Sequence, residues 1–383
     1  MKKILIVSDS LRVGGIQSSL INFIKEISKE NYQITLFLFN DSDKHKLQQE
    51  NINIISGTKM LKIISYSSEE ARKKGTIIFI IRKCLALLCK LFTSNFVYSL
   101  IFLFEKKLYD YDVAISFSNN ISNRAVYFGY NKFVLEKVKS KYKISYLHAD
   151  YETIRTDFFD KEYRKFDRIW FVSDFVKKTF LKYNEMCSSK CDVVYNFINT
   201  DKMRKEKKNP FNNKKFHIVT IGRLDQNKSQ IDSIEIASQL LKNKVDFEWY
   251  LIGEGPEKER IEETIKLNDL EEYIYLTGNK DNVEDYLYYS DVFVSLSKSE
   301  SYGLAIAESL LLKNITIVKN IPVIKEFISD NGIICDDNEE IAKTLIKLIN
   351  DSNYYKECKK KSKLYFDNDK NMKHINEIMN KLE

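Results

Sequence analysis

A chain of 383 residues is too long for one ordinary core, so two domains of roughly 150–200 residues are expected. With 44% apolar and 30% charged residues the composition is globular, which excludes a disordered or fibrous chain. The net charge of +7 is modest for this length and gives no reason to expect a nucleic-acid partner; residues 59–107 concentrate it, with ten basic against three acidic side chains.

The opening run Ile4-Leu5-Ile6-Val7 suits a strand buried on both faces of a parallel sheet. A polar turn with Gly14-Gly15 follows, and Leu20, Ile21, Ile24 and Ile27 then recur at helical spacing. Strands are expected at Ile34–Phe39, Ile52–Ile55, Val113–Phe117, Ile144–Leu147 and Ile169–Val172. The pattern restarts with a strand at Phe216–Ile221, a Gly-containing turn and a helix over Ser229–Lys242. Further strands are expected at Phe247–Ile252, Ile274–Leu276, Val292–Leu296, Ile315–Val318 and Ile333–Cys335. This alternation predicts an α/β chain with two tandem Rossmann-like domains. The expected division is 1–188 and 189–364, with a Lys- and Asn-rich linker near 184–215 and a C-terminal helix, 365–383, packing back on the first domain.

Residues 76–104 are the most unusual stretch. Leu85 to Phe104 is long enough for a membrane span and carries one charge, Lys90. It lies between strands of one sheet, however, so both its ends return to the same side. A buried helix pair, or a helix lying in the membrane interface, fits better. Arg82, Lys83, Lys90, Lys106 and Lys107 around Leu, Ile and Phe would favour an anionic membrane surface.

The six cysteines form no C-x-x-C pair and the four histidines are scattered, so no zinc site is expected. Met1-Lys2-Lys3 leads straight into a strand, so no secretory signal is expected, and the cytoplasm is the expected compartment.

Two segments carry chemistry. In Gly222-Arg223-Leu224-Asp225-Gln226-Asn227-Lys228 a strand ends and a helix begins, the ligand edge of an open α/β sheet. Arg223 and Lys228 place two cations there, suited to a diphosphate. In the second, Glu300 precedes a helix entered at about Gly303, and Glu308 lies in its second turn. The free amides of residues 302–304 would attract phosphate. A carboxylate can accept two hydrogen bonds from a vicinal diol, which ribose and hexose both offer. His148 and Asp150 end an N-domain strand. Asp41-Ser42-Asp43 and Asp367-Asn368-Asp369 spell the D-x-D of metal-dependent sugar transferases, but read better as polar loops.

With G-R-L-x-x-x-K and E-x7-E both in place, the chain resembles the family-four retaining glycosyltransferases of GT-B fold. Val172-Ser173-Asp174-Phe175, Val194-Tyr195-Asn196 through Asp201, Ile252-Gly253-Glu254-Gly255-Pro256 and Ile321-Pro322-Val323 support the resemblance. The family's Gly after the first Glu is Ser301 here, and its Gly-x-Pro after the helix is replaced by Lys313-Asn314-Ile315-Thr316.

The resemblance implies two domains facing across a cleft. Arg223 and Lys228 would hold the diphosphate, helped by amides near Gly303 and Leu304, with Gly15 approaching it from the first domain. Glu308 would bind the ribose diol, Glu300 the transferred sugar, and His148, with Asp150, the sugar and acceptor. The implied activity is metal-independent, retaining hexosyl transfer without a cofactor. The donor would be a UDP-sugar and the acceptor a glycan or lipid-linked molecule, in cell-surface polysaccharide synthesis at the inner face of the membrane. Two alternatives stand beside it. A nicotinamide-dependent oxidoreductase would need G-x-G-x-x-G after the first strand, which residues 8–16 lack. A non-catalytic membrane-associated partner could keep the same fold.

Overall fold

The computed structural model describes residues 1–12, 14–47, 50–118, 124–126, 128–155, 157–362 and 368–382. It divides into two compact units, Met1–Phe197 with Asn368–Glu383, and Ile198–Asp367.

The first unit holds seven strands: β1 (Lys2–Ser8), β2 (Tyr32–Leu38), β3 (Asn53–Ser56), β4 (Leu108–Ser116), β5 (Val138–Leu147), β6 (Arg168–Phe171) and β7 (Cys191–Val193). Their order is β3-β2-β1-β4-β5-β6-β7, with every pairing parallel. The second unit holds β8 (Phe216–Ile221), β9 (Phe247–Ile252), β10 (Ile274–Gly278), β11 (Val292–Ser295), β12 (Ile315–Lys319) and β13 (Ile333–Cys335), in the order β10-β9-β8-β11-β12-β13, again all parallel. Counted within each unit, the second sheet runs 3-2-1-4-5-6, the doubly wound order of a Rossmann fold, and the first runs the same way with a seventh strand added beyond the sixth. The central strands carry apolar runs suited to burial on both faces; Ile4 to Val7 and Val292 to Val294 are all buried.

The boundary between the units falls at Phe197, later than the expected 188. Cys191–Val193, read from sequence as linker, pairs in parallel with β6 and closes the first sheet. The C-terminal helix Asn368–Lys381 lies in the first unit. There Asn371 Nδ2 donates to the Tyr195 carbonyl at 2.7 Å, and the Lys2 ammonium donates to the Met379 carbonyl at 2.6 Å.

The stretch 76–104 folds as two helices, Thr76–Phe92 and Ser94–Leu103. Thr93 sits between them at φ 87 and its hydroxyl caps the second helix at the Phe96 amide. No helix among the described residues is long and apolar enough to cross a membrane.

Where the family pattern has glycine after the helix of the second motif, Lys313 occupies the left-handed region at φ 58. A side chain there costs about 1 kcal/mol. Its neighbour Asn314 is fully buried and donates to Leu287 O at 2.9 Å and Ser290 Oγ at 2.7 Å. That anchor holds the turn which a proline would otherwise stiffen.

Candidate active site

In the second unit the strand order reverses between β8 and β11, and both sequence motifs leave the sheet at that switch point. The β8–β9 ladder runs on to Ile221 and Ile252, but the β8–β11 ladder stops at Val219 and Phe293. Beyond it the Thr220 hydroxyl donates to Val294 O at 2.7 Å and accepts from the Trp249 indole at 3.0 Å. The two strands thus part on their carboxyl side, where open α/β sheets take ligands.

The loop after β8 is built for rigidity. Asp225 Oδ1 accepts from the amides of Asn227, at 3.1 Å, and Lys228, at 2.9 Å, which folds the loop back on itself. Gln230 Nε2 donates to the Arg223 carbonyl at 3.0 Å. The Gly253–Gly255 loop after β9 lies directly beneath. Gly222 N donates to Ile252 O, and Leu224 N to Glu254 O, each at 3.0 Å. A Cβ on Gly253 would stand 2.0 Å from the Gly222 carbonyl oxygen, at φ +147. Gly253→Ala should therefore cost on the order of 2–4 kcal/mol and displace Arg223 with it. Urea denaturation reads the loss, and an unchanged midpoint would refute this packing.

The loop after β11 is tied to the first. Asn227 Nδ2 donates to Ser299 O at 2.9 Å, and Lys298 N to Asn227 O at 2.8 Å. Glu300 pairs with the Lys228 ammonium and accepts from the Ser297 hydroxyl at 2.9 Å. Arg223 is the exposed partner: its side chain is 71% exposed, and its Nε lies 3.9 Å from the Asp225 carboxylate. A neutralised Lys228–Glu300 pair thus shares the site with a largely exposed guanidinium that is only loosely paired with Asp225. That arrangement can exchange Lys228 from a carboxylate to a phosphate at little cost, since one anion replaces another.

Gly303 enters the helix Leu304–Leu311 at φ 89, where only glycine is relaxed, and Tyr302 is buried against the Phe327 ring. The first-turn amides of this helix face no preceding helical carbonyl. Glu308 follows one turn later. Among the described residues no hydrogen bond to its carboxyl bears on its titration. Burial pushes its pKa up to about 7, the Glu284 carboxylate adds to the rise, and Lys202 opposes it. Sequence reading missed Glu284 and Lys202. Glu284, in the helix Val283–Tyr289, is buried and pairs with the Lys202 ammonium at 3.9 Å, while Lys202 also donates to Asp281 O at 3.2 Å.

The other named residues lie in the first unit. Gly15 opens the helix Gly15–Ile27, just after the turn that follows β1, and a Cβ there would meet nothing within 4 Å. His148 follows the end of β5. It is buried, with ring centroids 4.4 Å from Phe117 and 4.3 Å from Tyr146. Burial drops its pKa to about 3, so the imidazole is neutral at physiological pH and can share a hydrogen bond but not supply a charge. A folded pKa below the ordinary 6.5 means the unfolded chain binds the proton first. Stability is therefore full above about 6.5 and falls as pH drops toward 3. His148→Gln should flatten that slope in acid denaturation; an identical slope would show His148 already solvated.

Asp150 caps the short helix Tyr151–Ile154, accepting from the Glu152 amide at 3.1 Å. Asp41 accepts from Lys62 Nζ at 2.8 Å and from the Ser56 hydroxyl at 3.0 Å, so the first D-x-D is a tied loop. In the second, Asp367 lies outside the described residues, while Asn368 and Asp369 begin a helix. Among the described residues no group of three or more side chains could hold a metal ion.

The fold matches solved structures over all or nearly all of the chain. Anabaena HepE in complex with UDP and glucose matches at a TM-score of 0.69 over 100% of both chains, with 15% identity. WaaG, a glycosyltransferase involved in lipopolysaccharide biosynthesis, matches at 0.59 over 94% of both, with 11% identity. The fold is therefore GT-B. Residues 201–365, within the second unit, match the family described as glycosyl transferases group 1. In sequence, the chain is 32% identical over 140 residues to the alpha-monoglucosyldiacylglycerol synthase of Acholeplasma laidlawii. It is 26% identical over 174 residues to the N-acetyl-alpha-D-glucosaminyl L-malate synthase of Bacillus anthracis. These matches span 36% and 43% of this chain, and 35% and 45% of the relatives' own lengths.

Proposed function

We propose that the protein transfers a hexose from a nucleoside-diphosphate sugar, UDP-linked, to a hydroxyl of a glycan or lipid-linked acceptor, with retention of anomeric configuration. The observation that carries this is the joining of both motif loops, through Asn227–Ser299 and Lys228–Glu300, at the switch point of the second sheet. Arg223 and Lys228 hold the diphosphate together with the first-turn amides at Gly303 and Leu304, Glu308 takes the ribose diol, and Glu300 orients the hexose. In the first unit, the family resemblance is what assigns Gly15 to the phosphates and His148, as a neutral hydrogen-bonding group, to sugar or acceptor. The likeness to HepE, solved in complex with UDP and glucose, and to an alpha-monoglucosyldiacylglycerol synthase supports the reading.

Chemically, the bond from the anomeric carbon to the diphosphate oxygen breaks through an oxocarbenium-like state. The acceptor oxygen bonds to the same face, and its proton passes to the leaving phosphate. The protein's part is to stabilise charge growing on the diphosphate. Arg223 and Lys228 supply that countercharge, so the proposed reaction calls for no divalent ion, and synthesis of a surface polysaccharide or glycolipid is the setting.

A panel of nucleotide sugars and NAD, read by thermal shift, tests the reading. A UDP-sugar should raise the melting temperature and NAD should not; stabilisation by NAD alone would favour an oxidoreductase.

A further inference from the structure

We infer that the helix pair 76–103 is a docking face for an anionic lipid bilayer. The first helix, Thr76–Phe92, buries only Arg82 and Cys89. Ile77, Ile80, Leu87 and Leu91 follow along it at spacings of three, seven and four residues, which keeps them on one face, each more than half exposed. On the second helix, Phe96, Leu100 and Leu103 continue the pattern at 50%, 48% and 72% exposure. A monomeric soluble protein does not usually carry an apolar surface this continuous.

Charge identifies the occupant. Lys83, Lys90, Lys106 and Lys107 are exposed around this surface and, among the described residues, form no ion pair. From Ala71 to Tyr109 the only acidic residue is Glu105, which is buried and holds the Thr58 amide at 3.0 Å. A second copy pairing face to face through a two-fold axis would set these lysines against each other. Anionic headgroups would satisfy them, while the apolar side chains enter the acyl boundary and both helices lie in the plane of the interface. Arg82, expected from sequence among the lipid-facing cations, points inward instead. It donates to the Tyr66 carbonyl, and to Ser68 Oγ at 3.3 Å, which anchors the first helix to the domain.

The inference stands apart from the proposed reaction, because vesicle binding requires no turnover. The experiment is flotation of the full chain with vesicles of phosphatidylcholine alone, or with a third phosphatidylglycerol, at low salt. The wild type should float with the anionic vesicles only. Each lysine near the surface contributes about fivefold, so Lys83→Glu with Lys90→Glu should reduce the partition coefficient at least about twentyfold. Leu87→Asn with Leu91→Asn, at exposed positions, should release the protein with its melting temperature unchanged. Failure of the wild type to float, equal binding by either double variant, or a dimer in sedimentation that Leu91→Asn dissociates would overturn it.

Discussion

Arg223→Ala and Lys228→Ala should each lower turnover of the preferred nucleotide sugar by at least about a hundredfold, with folding unaffected. The Arg223 side chain is largely exposed and supports no packing, so its loss removes only charge and donors. Lys228 differs, because its ammonium also neutralises Glu300. Lys228→Ala leaves that carboxylate with the Ser297 hydroxyl alone and facing the diphosphate site, so it should be the more damaging of the two. Lys228→Ala combined with Glu300→Gln separates the effects: it relieves the uncompensated charge and should recover donor binding in part, but not turnover. A coupled assay for released UDP, beside melting temperatures, reads all four proteins. Near-normal turnover in Arg223→Ala or Lys228→Ala would remove the diphosphate assignment.

Glu308→Gln should stabilise the protein while destroying its donor affinity. A carboxyl whose folded pKa lies near 7, above the ordinary 4.5, holds its proton more tightly in the folded state. Stability therefore falls as pH rises through that window, and the full cost stands above about 7. Removing the charge should return on the order of 2 kcal/mol at pH 8 and nothing below pH 4. The diol of a bound ribose donates to the carboxylate and favours its charged form. UDP binding near pH 7 should then release up to about half a proton, and almost none at pH 9. Calorimetry in two buffers of different ionisation enthalpy measures this. Tight, proton-neutral binding by Glu308→Gln would place the ribose elsewhere.

Twelve of the thirteen strands are legible in the sequence because buried parallel strands are short apolar runs between helical periods. Cys191–Val193 is not legible. It is three residues long, half polar in character and set in a Lys- and Asn-rich stretch, and only its pairing with β6 makes it a strand. The two motif loops are legible as residue types at the ends of strands, but their joining is not. Asn227, Ser297 and Gln230 look like ordinary loop residues until the sheet brings them together. Glu284 gave no signal at all, since its effect on Glu308 depends on two helices packed side by side. Arg82 misleads for the opposite reason: charge is read as exposure, whereas its spacing of seven from buried Cys89 was the cue that it faces inward. Asp150 could have been read as an N-cap, standing immediately before a short helix.

The most direct measurement is a crystal structure of the protein soaked with UDP. The diphosphate should lie between Arg223, Lys228 and the amides at Gly303 and Leu304, with the ribose hydroxyls on Glu308 and Lys228 moved off Glu300. UDP bound away from the β8–β11 switch point, or with its ribose remote from Glu308, would contradict it.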